Sequence, residues 1–199
     1  MTPSLRIIVA DDEQDAREYL QEILKRLGHE VALAQGGRQL VELCRSFNPD
    51  LILVDIKMPD MDGLEAAAAV NQAEKKIPVI LVSAHAKSGW VQHVPVEPIM
   101  AYLIKPVKPA DVENAVAIAM LRFGEFEAAR KEANDLRQAL EDRKLIERAK
   151  GVLMRRLCID EHDAFQKMKR FASNHNRKLV DVAKETLAAE NIFHEIEAL

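Results

Sequence analysis

Cysteine is scarce in these 199 residues: Cys44 and Cys158 stand far apart, with no CxxC pair and no Cys/His cluster. That spacing offers neither a disulfide framework nor a zinc site, and it suits a reducing cytoplasm. No stretch approaches the roughly 18 consecutive apolar residues of a membrane span. The first ten residues hold Arg6 and a short apolar run that passes straight into acid, too short and wrongly flanked for a signal peptide. Aromatics are few, at 5%, but 48% hydrophobic and 30% charged residues describe an ordinary globular protein, not a disordered or fibrous one. Proline is missing from 111–157, and glycine occurs there only at Gly124 and Gly151.

The net charge of -4 conceals an asymmetry. Residues 1–121 hold 12 Lys/Arg against 17 Asp/Glu, whereas residues 144–184 hold 11 against 5. A basic field inside an acidic chain points to a polyanion partner for the C-terminal part, the alternative being a solvated basic helical surface.

The N-terminal part alternates two rhythms. Leu5–Ala10, Val31–Ala34, Leu51–Val54, Val79–Val82 and Ala101–Ile104 are short apolar, β-branched runs that read as buried strands. Between them lie helical patterns: Tyr19, Leu20, Ile23, Leu24 and Leu27 with Gly28 as a stop, Leu40 to Cys44, Leu64 to Ala73, and a helix from Asp111. Strands of this kind alternating with helices predict an α/β fold, a parallel five-stranded flavodoxin-like sheet covered on both faces. Ligands of such sheets sit beyond the carboxyl ends of the strands.

That rule selects residues. Asp11 and Asp12 follow the first strand, Asp55 ends the third, Ser83 follows the fourth and Lys105 the fifth. Three converging carboxylates repel one another, and a hard cation such as Mg²⁺ resolves the conflict. One carboxylate can then act as a nucleophile toward a phosphoryl group while the lysine neutralises developing charge.

Ala10-Asp11-Asp12-Glu13, Val54-Asp55-Ile56-Lys57-Met58-Pro59-Asp60-Met61-Asp62-Gly63, Val82-Ser83-Ala84 and Tyr102-Leu103-Ile104-Lys105-Pro106 resemble the receiver domain of two-component response regulators, over residues 1 to about 121. The resemblance implies phosphorylation at Asp55 by a sensor histidine kinase. It implies Mg²⁺ held by Asp11, Asp12, Asp55 and the backbone carbonyl of Lys57, with Asp11 acting mostly through water. It further implies phosphoryl contacts from Lys105 and Ser83, a cis peptide before Pro106, and Tyr102 as a switch aromatic that follows Ser83. The protein would not be an enzyme in the ordinary sense, Asp55 gaining and slowly losing one phosphoryl group. One stretch departs from the pattern: Pro95 and Pro98 fall where the family has its fourth helix, so Ala84–Met100 reads as shortened or irregular. His85 and His93 there read as surface residues and Trp90 as a packed or partner-facing aromatic.

Residues 125–150 are rich in Ala, Glu, Arg, Lys and Leu, the composition of a long exposed helix. Phe126, Ala129, Ala133, Leu136 and Leu140 fall on an a/d seam that Arg143 breaks, which predicts a homodimeric coiled coil or, failing that, packing on the helix's own domain. Beyond it, Ile146, Ala149, Val152 and Leu153, then Ala164, Phe165, Met168 and Phe171 behind an Asp160 cap, then Leu179, Val182, Ala183 and Leu187, predict a three-helix bundle. His162 and His175 read as surface or capping residues.

Leu145 to Met154, with its Ala149-Lys150-Gly151 core, followed by Asp163-Ala164-Phe165, Ala172, Asn176-Arg177-Lys178-Leu179 and Asp181-Val182-Ala183, resembles the ANTAR domain of AmiR/NasR-type antiterminators, over roughly 140–190. The resemblance implies a dimer that binds RNA stem-loops in a nascent transcript and prevents a terminator from forming. Candidate contacts are Arg148, Ala149, Lys150, Gly151, Arg155, Arg156, Lys169, Arg170, Arg177 and Lys178, cations for phosphate and small residues for close approach to a loop. The chain then divides into a receiver (1–121), a helical linker (122–143), an RNA-binding domain (144–190) and a tail (191–199). A DNA-binding response regulator and a protein-interaction switch are the competing readings. Against the first, the 179–187 helix offers only Lys184 as a basic reader.

Overall fold

A computed structural model describes residues 3–72, 76–84 and 99–197. The chain divides into two compact units, 1–127 and 128–199.

The first unit carries five strands, β1 (Arg6–Ala10), β2 (Glu30–Ala34), β3 (Leu51–Asp55), β4 (Val79–Ser83) and β5 (Ile99–Ile104). They pair in parallel in the order β2-β1-β3-β4-β5. Helices α1 (Gln14–Arg26), α2 (Gly37–Phe47) and α3 (Gly63–Val70) connect strands, and α4 (Pro109–Leu157) follows β5. Because successive side chains alternate across a strand, each apolar run feeds two cores. Ile7, Val9, Leu51, Leu53, Ile80 and Val82 pack with α1 and with Val112, Ala115, Val116 and Ala119 of α4. Ile8, Ala10, Ile52, Val54, Val79 and Leu81 pack with α2 and α3 on the other side. The sheet is therefore buried on both faces, as the unalternating apolar runs require.

Turn chemistry ends the elements. Gly28 takes φ +89 after α1, where its N–H donates to the Lys25 carbonyl and that of His29 to the Leu24 carbonyl. Asp62 caps α3 by accepting from the Glu65 N–H at 2.7 Å, and a side chain at Gly63 would run into the Asp55 carbonyl oxygen. The Lys105–Pro106 peptide is cis. The irregular segment expected around Ala84–Met100, with His85, Trp90 and His93, falls largely on 85–98, outside the described residues.

Helix α4 runs 49 residues without a break. Neither Gly124 nor Gly151 interrupts it. Phe126, expected on the coiled-coil seam, instead packs partly against the first core and stacks on Phe123 at 6.3 Å between centroids. Every residue from 131 to 140 is exposed, Leu136 and Leu140 among them.

The second unit adds α5 (Glu161–Asn174) and α6 (Leu179–Glu197) to the C-terminal part of α4. Asp160 caps α5 through the Asp163 N–H at 2.8 Å. His175 closes it, its ring stacked on Phe171 and its Nδ1 2.8 Å from the Phe171 carbonyl oxygen. Ala149, Met168 and Ala183 form the fully enclosed centre, with Leu145, Ile146, Leu153, Leu179 and Leu187 around it. The tail expected over 191–199 is helical through Glu197, since neither glycine nor proline stands anywhere in α6 to stop it.

Candidate functional site

The register of the parallel sheet brings the ends of β1, β3, β4 and β5 to one edge. Asp11 lies just past β1 and is fully buried, Asp55 closes β3 nearly as deep, and Asp12 is exposed beside them. Lys105, just past β5, places its Nζ 2.8 Å from Asp11 Oδ2, 3.1 Å from Asp55 Oδ1 and 3.7 Å from Glu13 Oε2. Its N–H donates to the Ser83 carbonyl, which ties β5 to β4 at the same edge. Asp55 Oδ2 accepts the Lys57 N–H at 2.7 Å, and Asp11 Oδ1 accepts the Glu13 N–H at 3.0 Å.

Burial and charge oppose each other in this cluster. Burial pushes the Asp55 carboxyl above its ordinary pKa; the Lys105 ammonium pulls it back in part, and the charge of Asp11 adds to the rise. Burial pushes Lys105 down, but Asp11 and Asp55 outweigh it and hold the ammonium above its usual value. A cavity of about 880 Å³ opens in front of the cluster, lined by Asp12, Glu13, Asp55, Lys57, Ser83 and Lys105 among others.

Among the described residues no three acidic, His or Cys side chains close into a metal cage. Mg²⁺ does not need one: one or two carboxylates with water complete its octahedron. Among the described residues the buried Asp11 Oδ2 meets no group but the Lys105 ammonium, and the open cavity places the Asp12 and Asp55 oxygens within reach of water. The donor set therefore fits the ion.

Tyr102 is 45% exposed on β5. The β3–α3 loop, whose Ile56–Pro59 and Asp62 line the cavity, is anchored to α2 by Asp60, whose carboxylate accepts the Gly37 and Arg38 N–H groups at 3.1 and 3.2 Å. These bonds hold Asp60 below the usual carboxylate range.

In the second unit the ten candidate contacts separate by their partners. Lys150 is buried, its ammonium 2.7 Å from Glu147 Oε2 and 2.7 Å from Glu161 Oε1, over the Phe165 ring. Those two glutamates raise its pKa. Arg156 pairs with Glu190 at 2.8 Å and lies over Phe193; Arg155 reaches the same carboxylate at 3.8 Å. Arg177 holds Glu185 through both guanidinium Nη atoms. Arg148, Lys169, Arg170 and Lys178 are exposed and form no ion pair with a described residue.

Residues 7–117 match the response regulator receiver domain, and residues 134–186 match the ANTAR domain. The transcriptional regulatory protein PdtaR of Mycobacterium tuberculosis is 36% identical over 187 residues, covering 92% of this chain and 90% of its own. The chain belongs to the ANTAR response regulators. The chemotaxis protein CheY of Thermotoga maritima is 31% identical over 116 residues, 56% of this regulator and 93% of that protein. Among solved structures, the receiver domain of the sensor histidine kinase PA1611 of Pseudomonas aeruginosa, with magnesium coordinated in its active-site cleft, superposes with a TM-score of 0.54. It is 25% identical and covers 59% of this chain and 98% of its own.

A receiver ahead of an ANTAR domain makes this regulator a phosphorylation-controlled, RNA-binding antiterminator, and the DNA-binding and protein-interaction readings give way to it. The expected pocket residues Asp11, Asp12, Asp55, Lys57, Ser83 and Lys105 meet at one strand edge. The RNA-contact set needs revision. Ala149 is fully enclosed in the small core and presents no surface, and Lys150 is an internal strut between α4 and α5. Gly151 keeps its place: a Cβ there would meet only Arg155 Nη1 at 3.7 Å, so nothing inside the unit requires glycine.

Sequence reasoning missed Arg17, whose Nη1 donates to the carbonyl oxygens of Asp11 and Asp12. The signal was available. Arg17 stands at the i, i+3, i+7 spacing of the apolar face completed by Leu20 and Leu24.

Proposed function

We infer that Asp55 is the phosphoacceptor and that its modification sets how this regulator engages RNA. The observation that carries the reading is the Lys105 ammonium lying within 3.1 Å of both Asp11 and Asp55 at the carboxyl edge of a parallel sheet. A sensor histidine kinase is the donor: an Asp55 carboxylate oxygen attacks phosphorus, the new O–P bond forms, and the donor's N–P bond breaks, returning its electron pair to the imidazole. Asp11, Asp12, Asp55 and the Lys57 carbonyl would hold Mg²⁺, which when bound draws charge from the phosphoryl oxygens. Lys105 turns from the carboxylates to an incoming phosphoryl oxygen, and Ser83 donates a hydrogen bond to another. Tyr102, exposed beside them, turns inward as Ser83 moves. The regulator turns over no substrate, because the acyl phosphate on Asp55 is the signal and is lost slowly to water.

RNA stem-loops are held by the unpaired cations Arg148, Lys169, Arg170 and Lys178 beside Gly151. Two copies meet along the bare span at 131–140, where Leu136 and Leu140 have no cover of their own, and present two such surfaces. No helix of the described residues is long and apolar enough to cross a membrane, which agrees with a cytoplasmic regulator.

Purified protein titrated with a tandem-hairpin RNA and with length-matched duplex DNA, each with and without Mg²⁺ and beryllofluoride, tests the whole reading. The expected result is tighter RNA binding on activation in wild type and no activation in Asp55→Asn. Labelling of Asp55→Asn by acetyl phosphate, or a preference for DNA, would overturn it.

A further inference from the structure

A charged side chain occupies the apolar face of α1. Leu20 and Leu24 are buried there at helical spacing, and Arg17, one turn earlier, is buried with them. A guanidinium is expensive to desolvate and is buried only where hydrogen bonds and neighbouring charge compensate it. Arg17 makes one such arrangement: Nη1 donates to the Asp11 carbonyl at 2.7 Å and to the Asp12 carbonyl at 2.9 Å. Among the described residues no carboxylate pairs with it.

The two acids depend on this anchor differently. Asp11 is also fixed by its own turn, its N–H donating to the Ala34 carbonyl and its Oδ1 accepting from Glu13. Asp12 has an exposed side chain that makes no hydrogen bond or ion pair with a described residue. Its direction is set by its backbone alone, and Arg17 holds the carbonyl of that backbone.

We propose that Arg17 is a positioning residue of the acid pocket, fixing consecutive peptide groups so that the Asp11 and Asp12 carboxylates meet a divalent cation already oriented. The inference rests on the reading of Asp11, Asp12 and Asp55 as the cation's ligands. Three roles for a buried arginine predict different signs. A positioning role makes Arg17→Met bind Mg²⁺ more weakly, on the order of tenfold, the lower end of what outer-shell partners contribute. A purely electrostatic role makes the same variant bind more tightly, since a cation has been removed from beside a metal. A purely structural role lowers the melting midpoint and leaves affinity alone.

Calorimetric titration of the full chain with Mg²⁺, well below each melting midpoint, separates them. The proteins are wild type, Arg17→Met, Arg17→Lys and Leu24→Ala, the last a core truncation of α1 that touches neither acid. The expected result is weaker binding in Arg17→Met, a smaller loss in Arg17→Lys, which keeps the charge but not the fork, and wild-type affinity in Leu24→Ala. Affinity in Arg17→Met equal to or tighter than wild type overturns the role of Arg17. Should Arg17→Met fail to fold, wild-type affinity in Arg17→Lys overturns it instead. A wild-type protein that takes up no Mg²⁺ overturns the ligand assignment itself.

Discussion

Replacing Lys105 with methionine removes the countercharge of two buried carboxylates while keeping most of the side-chain volume. At an effective dielectric near 20, contacts at 2.8 and 3.1 Å carry roughly 5–6 kcal/mol each in gross attraction, most of it offset by desolvation of the three groups. What the variant loses is set by its least costly relief, a proton on Asp55, whose carboxyl burial already pushes upward. Protonating an ordinary aspartate at pH 7 costs about 4 kcal/mol, so Lys105→Met should be destabilised by about 3–4 kcal/mol there in the absence of Mg²⁺. The folded variant binds more protons than the unfolded chain between the unfolded and the raised folded pKa of Asp55, so its stability rises as pH falls through that window. The gap to wild type should therefore shrink by about 1.4 kcal/mol per pH unit, to roughly 1 kcal/mol near pH 5. Urea unfolding of both proteins at pH 5, 6 and 7, with EDTA and then with Mg²⁺, reads this directly. Mg²⁺ should stabilise the variant more than wild type, because it no longer shares the carboxylates with an ammonium. A gap that is constant or widens toward pH 5 would refute the argument.

Three further outcomes follow from the geometry. Met168 is the one large side chain among the fully enclosed residues of the second unit, the others being Ala149, Ala164 and Ala183; Met168→Ala should cost about 2–5 kcal/mol and lower amide-exchange protection over 145–187 by about thirtyfold or more, receiver peptides unchanged. A loss under about fivefold would mean the core lies elsewhere. Glutamine at Arg148, Lys169, Arg170 or Lys178 should each reduce the slope of log K against log salt for hairpin RNA by about 0.7–0.9, whereas Arg177→Gln, which removes an already paired cation, should change it little. Equal effects in both groups would refute sorting contacts by their ion pairs. His29 is buried with Nδ1 accepting the Leu5 N–H at 3.2 Å, and burial lowers its pKa. The unfolded chain then binds the extra proton as pH falls below about 6.5, so stability present above that pH is lost toward acid. His29→Gln, which keeps an acceptor but does not titrate, should flatten the slope between pH 5 and 7, and an unchanged slope would exclude His29 as its source.

The strands and the pocket were legible because both leave dense local marks. A buried parallel strand is a short apolar run, and the residue just past its carboxyl end is placed by topology, so Asp11, Asp55, Ser83 and Lys105 could be found together. Pairing leaves no such mark. A count of cations in 144–184 does not distinguish Lys150, locked between Glu147 and Glu161, from Arg148, which faces water. Ala149 was drawn into the contact set by its place beside Lys150 and Gly151, although its spacing with Val152 and Leu153 already marked a core position. Arg17 was passed over because an apolar face was read only for apolar residues. Phe126 fitted a heptad seam, yet the receiver core a short way up α4 offers it an apolar surface within its own unit. The anchoring of α2 by Asp60 spans 23 residues and had no local signature at all.

The bare stretch of α4 has a consequence for how a signal could cross the molecule. Ten consecutive helical residues with no cover from their own chain gain little beyond their backbone bonds, so nothing but the helix that continues on either side holds them. Such a span works as a clutch. While it stands bare, it opens at less cost than the packed turns of α4 on either side, and it is the compliant link along that helix. Covered by a second helix, the same ten residues become rigid and engage. If phosphorylation governs that cover, it need not push on the RNA-binding unit at all.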